Sequence, residues 1–283
     1  MQHLNNIKII ECPRDAMQGW GHPIDTITKV NYLNQLLQVG IDTLDCGSFV
    51  SPKAIPQMAD TKDVLPQLNL ENTKTKLLVI VANERGAQEA VAYEQVTYLG
   101  YPFSISETFQ KLNTNSTIAE SLQRVEAIQQ LCVQHNKQLV VYISMGFGNP
   151  YGDDYNAEIA IYWTNELKKI GIKIISLADT VGIAKPDTIA FLFKQLIPAH
   201  PDVEIGAHFH TTPSAWQEKI EAAAKNGCIR FDGAINGIGG CPMAQEELVG
   251  NMDTVNLLHY FKELNYNQAA FSQSVQMANG IFI

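Results

Sequence analysis

Eight short apolar runs rich in β-branched residues alternate with longer segments whose apolar residues recur at helical spacing. The run at 76–81 is apolar at consecutive positions, which is typical of a strand buried on both faces of a sheet. Strands of this kind, separated by helices, predict a parallel sheet. Eight strand–helix units predict an α/β fold of the (β/α)8 or TIM-barrel type, with a doubly wound open sheet as the alternative.

The predicted elements cover nearly the whole chain of 283 residues. Strands are predicted at 7–11, 43–45, 76–81, 96–99, 138–143, 174–177, 203–208 and 230–234. Helices are predicted at 27–37, 60–65, 84–93, 118–135, 157–170, 188–196, 214–225, 247–262 and 268–278. We expect a single catalytic domain over 1–283, with the barrel at about 6–263 and a short C-terminal helical extension at about 264–283.

Composition and charge exclude several classes of protein. A hydrophobic content of 46% is too high for a disordered chain. A net charge of −9 without a basic run argues against nucleic-acid binding. The longest apolar run, 77–82, is far shorter than the ~20 residues of a membrane span, and the start of the chain does not resemble a signal peptide. Five scattered cysteines are not a disulfide framework, so we expect a reducing cytoplasm.

Polar residues that directly follow the predicted strands are the candidates for a functional site. In barrels of this type the active site lies at the carboxyl ends of the strands. The candidates are Arg14, Asp15 and Gln18 after the first strand, Asp45 at the second, Asp179 after the sixth, His208 and His210 at the seventh, and Cys241 and Asn251 after the eighth.

The pair His208 and His210 suggests a metal site. Residues two apart at the end of a strand point to the same side, so both imidazoles can reach one cation. Asp15 adds a carboxylate and Asn251 an amide oxygen, a mixed set that suits Mg²⁺ or Mn²⁺, with Zn²⁺ possible. The alternative is a pair of hydrogen-bonded polar residues at the barrel mouth.

Arg14 and Cys241 each have two interpretations. Arg14 is either a structural ion-pair partner of Asp45 or Glu11, or a fixed cation that stabilises a developing enolate or thioester oxyanion. Cys241 lies in a glycine-rich segment, 237–242, that lacks the phosphate-binding patterns. It is either an inert buried thiol or a reactive cysteine on a mobile loop over the site.

These residues and the motifs around them resemble the hydroxymethylglutaryl-CoA lyase family, within a wider superfamily of metal-dependent barrels that includes isopropylmalate and homocitrate synthases. The resemblance runs over nearly the whole chain. It is carried by Pro13-Arg14-Asp15 with Gln18, by 48–53 (SFVSPK) and 56–60 (PQMAD), by 106–109 (SETF), by 178–182 (ADTVG), by His208-Phe209-His210, by Gly239-Gly240-Cys241-Pro242 and by Gly250-Asn251.

The resemblance implies a retro-Claisen cleavage of 3-hydroxy-3-methylglutaryl-CoA into acetoacetate and acetyl-CoA, as in leucine breakdown. It implies that a divalent cation lies on Asp15, His208, His210 and Asn251, with His208 or Asp15 as general base. Arg14 would steady the enolate and Cys241 would transfer the proton. Gln18, Asp45 and Asp179 would lie near the substrate. The family resemblance also suggests a homodimer or a larger homo-oligomer.

The sequence departs from the family pattern at several positions, so alternatives stay open. Ala16 replaces a glycine, Thr211 an aspartate and Val255 a glutamate, and Asp45 stands where the family usually has a glutamate. The alternatives are a lyase acting on another 3-hydroxy-acyl-CoA, a Claisen-type synthase joining acetyl-CoA to a 2-oxo acid, or a non-catalytic binding barrel. The synthases usually carry further C-terminal domains, and the end of this sequence at Ile283 favours the lyase.

Overall fold

The structure, a computed structural model, describes residues 6–240 and 249–283. Eight parallel strands close a barrel in which each pairs with its sequence neighbour and the last returns to the first. The strands are β1 (Lys8–Glu11), β2 (Thr43–Ser48), β3 (Lys76–Ile80), β4 (Val96–Ser104), β5 (Gln138–Ser144), β6 (Ile174–Asp179), β7 (Glu204–Phe209) and β8 (Arg230–Gly233). The predicted TIM barrel is confirmed, and closure between β1 and β8 excludes the open sheet.

Helices surround the barrel in the order expected for this fold. In the described ranges they are α1 (Pro13–Gln18), α2 (Thr26–Leu37), α3 (Thr61–Val64), α4 (Glu84–Val91), α5 (Glu107–Thr114), α6 (Ile118–Gln134), α7 (Ala157–Lys169), α8 (Pro186–Ala199), α9 (Trp216–Lys225), α10 (Thr254–Tyr260) and α11 (Gln268–Ile281). None of these helices combines the length and the apolar character that crossing a bilayer would require.

Two helices, and the full length of one strand, were not predicted. Helices α1 and α5 follow β1 and β4 directly and are too short for a periodic apolar pattern. Strand β4 runs five residues beyond its prediction, through Gly100 and Pro102. Strand β3 pairs with it only as far as Gly100, whereas Pro102 is in register with Tyr142 of β5.

Helix α10 begins at Thr254; the predicted start at 247 lies outside the described residues, and 249–253 are not helical. The Asp253 side chain accepts a hydrogen bond from the N–H of Val255 and caps the helix there. Just before it, Asn251 forms an antiparallel bridge with His210. This bridge places Asn251, the predicted amide ligand, beside His208 and His210. A helix that continued through Asn251 would not allow the bridge.

The barrel separates two packed regions. The main hydrophobic core lies between the sheet and the helices, whereas a small apolar cluster inside the barrel includes Tyr98, Val140 and Tyr142. Arg230 is fully buried inside the barrel, and Gly206 makes room for it. A Cβ at Gly206 would lie 2.9 Å from the Cδ of Arg230. The interior is therefore apolar in part and charged in part.

Candidate active site

Helix α1 places three of the predicted side chains together. Pro13 starts this helix directly after β1, at a position where its missing N–H has no partner to lose. Arg14 Nη1 donates to Asp15 Oδ1 at 2.9 Å and to Gln18 Oε1 at 2.8 Å, and Gln18 Nε2 donates to Asp15 Oδ1 at 2.8 Å. One helical turn therefore fixes a cation, a carboxylate and an amide at the cavity that all three line.

Arg14 is also tied to β2. Its Nε and Nη2 atoms donate to Asp45 Oδ2 at 3.0 and 2.6 Å, so the ion pair that the sequence offered as one interpretation is present. Burial raises the pKa of Asp45 to about 6, although Arg14 acts in the opposite direction. Among the described residues, the other oxygen of Asp45 has no hydrogen-bond partner, and Asp45 lines the cavity.

Glu11, the other partner considered for Arg14, is engaged elsewhere. Its carboxyl accepts the N–H of Ile235 at 2.9 Å and forms a short hydrogen bond with the hydroxyl of Thr254. Burial raises the pKa of Glu11 to about 8. Glu11 thus fastens β1 to the segments on either side of 241–248, one of which carries Asn251.

The two histidines at the end of β7 are held by their Nδ1 atoms. His208 Nδ1 lies 3.1 Å from Asp232 Oδ2, and His210 Nδ1 lies 2.9 Å from the carbonyl oxygen of Val249. If Nδ1 carries the proton in each ring, Nε2 is left as the free acceptor, the usual arrangement of metal-binding histidines. The ring centroids lie 5.2 Å apart.

The charges at these rings favour different protonation states. Burial disfavours the charged form of His208, but the hydrogen bond to Asp232 and its negative charge prevail and raise the pKa. Burial and the neighbouring His208 lower the pKa of His210 to about 4, so this ring is neutral near pH 7. A neutral imidazole is the form that binds a metal.

Asp15, His208 and His210 form what we call the first donor group. One ligand atom from each lies within 4.8 Å of the others. Burial raises the pKa of Asp15, but Arg14 and the two histidines outweigh it and lower the pKa to about 2, so the carboxylate is ionised. An ionised carboxylate and a neutral His210, both buried, fit a divalent cation that binds oxygen and nitrogen ligands.

Asn251 contacts this group through its nitrogen. Its Nδ2 donates to Asp15 Oδ2 at 2.7 Å and to the carbonyl of Ile238 at 2.9 Å. A ligand role requires the amide oxygen instead. Gly239 adopts φ +106°, and a Cβ there would lie 2.5 Å from Asn251 Nδ2. The glycine is needed for the loop to pass this close to the amide.

Asp179 lies apart from this cluster. Asp179 is buried and accepts a 2.7 Å hydrogen bond from Lys219 Nζ, and the residues lining the central cavity include its neighbours Ala178 and Thr180 but not Asp179. Cys241 lies outside the described residues. At two of the departures from the family pattern, Thr211 donates its backbone N–H to the carbonyl oxygen of Gly250, and Val255 lies on the surface.

Three residues of the site were missed by the sequence reasoning. Asp232 orients His208, Lys219 braces the loop after β7, and the Tyr142 ring meets the His208 ring edge-on at 5.6 Å. Asp232 had a detectable signal, since it is a charged residue inside a strand otherwise predicted as buried. Lys219 had none, because a lysine on an amphipathic helix is normally solvated.

The cavity above these groups has an apolar side formed by the segment after β2, by β3 and β4, and by α5. Val50, Ile55, Ile80, Pro102 and Phe109 line it. A charged floor and an apolar side suit a ligand with an anionic end and an alkyl group.

Comparison with known proteins gives a consistent result. The model of the HMGL-like family matches residues 6–279. Hydroxymethylglutaryl-CoA lyase YngG of Bacillus subtilis is 31% identical over 89% of this chain and 84% of its own length. The hydroxymethylglutaryl-CoA lyase of Pseudomonas mevalonii is 30% identical over 95% of this chain and 89% of its own.

Solved structures agree with this comparison. A structure of an HMG-CoA lyase from Acinetobacter baumannii, in complex with coenzyme A and 3-methylmalate, matches with a TM-score of 0.90 and 27% identity. It covers 100% of this chain and 93% of that one. The HMG-CoA lyase of Bacillus subtilis matches with a TM-score of 0.90 and 28% identity, over 99% and 95% of the two chains.

Proposed function

This chain belongs to the HMGL-like family, and on that premise we propose that it is a carbon–carbon lyase that cleaves 3-hydroxy-3-methylglutaryl-CoA into acetoacetate and acetyl-CoA. The observation that carries the proposal is the meeting of two sequence-distant groups in one cavity. Arg14 and Asp15 come from the end of β1, and His208 and His210 come from the end of β7. The reaction needs both a cation for a developing enolate and ligands for a divalent metal.

The first donor group would hold the metal, with Asn251 as a fourth ligand once its amide oxygen is turned inward. A bound divalent cation lowers the pKa of the substrate hydroxyl and fixes its orientation. Mg²⁺ or Mn²⁺ suits this oxygen and nitrogen set, with Zn²⁺ as the alternative. The low pKa of Asp15 and the neutral His210 support binding near neutral pH.

Proton removal falls to one of two side chains. Asp15 has a pKa of about 2, which makes it a weak base. His208 has a raised pKa, and Asp232 stands behind it to stabilise a positive ring. In the protein without bound metal, these pKa shifts favour His208 over Asp15 as the proton acceptor. Whether His208 accepts the proton or binds the metal, its ring must be neutral at the start of the reaction.

Arg14 would face the thioester oxygen as the enolate develops. Its guanidinium is held on three sides by Asp15, Gln18 and Asp45, so its position is set before substrate arrives. A preorganised cation of this kind stabilises negative charge at little reorganisation cost. We assign to Cys241, from the family resemblance, the return of the proton to the departing acetyl-CoA carbanion.

Gln18 and Asp45 would contact the acyl group, and Asp179 would act indirectly. The Asp45 oxygen that has no partner among the described residues can accept a hydrogen bond from a substrate hydroxyl. Asp179 would position the β7 loop through Lys219. We further propose that 1–283 is one catalytic unit in a reducing compartment, the cytoplasm, and that it forms a homodimer or larger homo-oligomer.

Product analysis tests the reaction. Purified protein with Mg²⁺ is expected to convert 3-hydroxy-3-methylglutaryl-CoA into equal amounts of acetoacetate and acetyl-CoA. Acetyl-CoA with a 2-oxo acid should give no condensation product, and the reverse result would make the chain a synthase. One relative, from Pseudomonas aeruginosa, is named for both 3-hydroxy-3-isohexenylglutaryl-CoA and hydroxymethylglutaryl-CoA. Because the cavity has an apolar side, the longer ester is the second substrate to test.

A further inference from the structure

A second set of potential metal ligands lies beside the first. One ligand atom each of Cys12, His208 and Asp232 lies within 4.8 Å of the others. We call this the second donor group, and it shares His208 with the first. Cys12 and Asp232 are buried, and His208 is partly buried. The pairing of β1 with β8 brings Cys12 close to Asp232. The N–H of Cys12 donates to the carbonyl oxygen of Gly233, the residue after Asp232, at 2.8 Å.

We propose that the second donor group is a site for a thiophilic cation such as Zn²⁺ or Cd²⁺, distinct from the proposed catalytic metal. A thiolate, an imidazole nitrogen and a carboxylate form a ligand set that Zn²⁺ accepts, whereas thiolate is a poor ligand for Mg²⁺. A tetrahedral ion with bonds of about 2.0–2.3 Å holds its ligands roughly 3.3–3.8 Å apart. Side-chain movements of about an ångström would therefore bring the three ligand atoms to these distances.

An independent observation also points to a ligand. Asp232 Oδ2 faces His208 Nδ1, whereas Asp232 Oδ1 is buried and has no hydrogen-bond partner among the described residues. A buried carboxylate oxygen left without a partner is costly. Burial, and after it the carboxylates of Asp232, Asp45 and Asp15, raise the pKa of the Cys12 thiol, whereas Arg14 acts in the opposite direction.

Occupation of the second group would inhibit the reaction. The ion would replace the proton between His208 Nδ1 and Asp232, and Cys12 would bind as the thiolate after its own proton leaves to solvent. His208 would then lose the hydrogen bond that orients its ring in the first donor group. This consequence rests on the proposed function, but binding at the second group does not.

Co²⁺ spectroscopy tests binding without substrate or activity. Co²⁺ bound to a thiolate gives a charge-transfer band in the near ultraviolet, and the first donor group contains no sulfur. The metal-free protein is titrated with Co²⁺ under reducing conditions. We expect a band that saturates in proportion to the protein and is absent in Cys12→Ser. Cys12→Ala provides a second variant, and thermal unfolding verifies that both are folded.

Two other cysteines serve as controls. Cys46 is buried and donates to the Leu78 carbonyl, as Cys12 does to that of Ile10, so Cys46→Ala should keep the band. Cys241→Ala should keep it as well. A band that survives both Cys12 variants, or that disappears with Cys241→Ala alone, would overturn the proposal.

Inhibition is measured separately, relative to each variant's own uninhibited rate with saturating Mg²⁺. We expect Cys12→Ser to raise the Cd²⁺ concentration for half-inhibition by about tenfold or more. If Cys12→Ser loses the Co²⁺ band but keeps the wild-type sensitivity to Cd²⁺, the site exists and its inhibitory role is refuted. Absence of lyase activity would refute the proposed function, while the Co²⁺ band would still decide whether the site exists.

Discussion

Arg14 donates two hydrogen bonds to one oxygen of Asp45, at 3.0 and 2.6 Å, and leaves the other oxygen of that carboxylate unpaired in the described structure. The pair therefore fixes the guanidinium and still offers an acceptor to the cavity that both residues line. The two interpretations of Arg14, ion-pair partner and catalytic cation, are compatible, since the ion pair holds the cation in place.

Replacement of Arg14 by Gln should reduce kcat by about 10²–10³, the usual effect of losing one group that stabilises an oxyanion. Metal content should stay near normal, because Gln18 still hydrogen-bonds Asp15. Steady-state kinetics and metal analysis provide the measurement. Arg14→Lys is the control, since it keeps the charge but loses the forked geometry, and it should recover only part of the rate. A Gln variant with a near wild-type rate would make Arg14 purely structural.

Replacement of Asp232 by Asn should move the acidic limb of the pH profile of kcat/KM to lower pH. Asp232 raises the pKa of His208, so its loss lowers that pKa, and the neutral ring that the reaction requires appears at a lower pH. The rate at the optimum should fall by about 10–100-fold, because the ring loses its orienting partner. An acidic limb in the same place would show that His208 does not control it.

Replacement of Lys219 by Met should weaken both the fold and the metal site. Lys219 Nζ donates to Asp179 at 2.7 Å and to the carbonyl oxygens of Gly182 and His210 at 2.9 Å each. Loss of one partner of a buried ion pair costs about 3–5 kcal/mol, which urea unfolding would measure. The double variant Lys219→Met with Asp179→Asn should regain much of the stability.

Metal affinity separates a positioning role from a structural one in these variants. Both Lys219 variants should bind Mn²⁺ about 10–100-fold more weakly, because the brace on the His210 carbonyl is absent in each. Calorimetric titration with Mn²⁺ measures this. Recovery of wild-type affinity in the double variant would mean that Lys219 serves stability alone.

Replacement of Cys241 by Ala should reduce kcat by about 10²–10⁴ and leave KM nearly unchanged, as expected for a positioned acid–base group. Cys46→Ala is the matched control, because its thiol is buried among apolar residues and hydrogen-bonds a backbone carbonyl. If the two variants show the same rate, Cys241 is an inert thiol.

The sequence predicted the barrel because that information is local. Each strand–helix unit has its own apolar pattern, and eight units favoured a barrel, whereas its closure is shown only by the pairing of β1 with β8. The short helix α1 was not predicted, because six residues are too few to show a helical repeat of apolar residues. This helix nevertheless carries Arg14 and Asp15. Residues of the candidate site could be inferred from the sequence only where a polar side chain follows the end of a predicted strand.

The supporting contacts could not be inferred in this way, because they join residues far apart in sequence. Asp232 meets His208 only through the pairing of β7 with β8. Lys219 turns inward because Asp179 and two carbonyl groups converge on it. Asp179 was predicted near the substrate from its motif, whereas its partner Lys219 has no motif of its own.

The most direct test of the central claim compares the wild-type chain with His210→Ala on 3-hydroxy-3-methylglutaryl-CoA. Acetoacetate and acetyl-CoA are measured together with bound metal. The wild-type protein should release both products in equal amounts only when a divalent cation is present, and His210→Ala should lose both the metal and the activity. A fully metallated, active His210→Ala variant, or a metal-loaded wild-type protein that does not cleave the ester, would contradict the account.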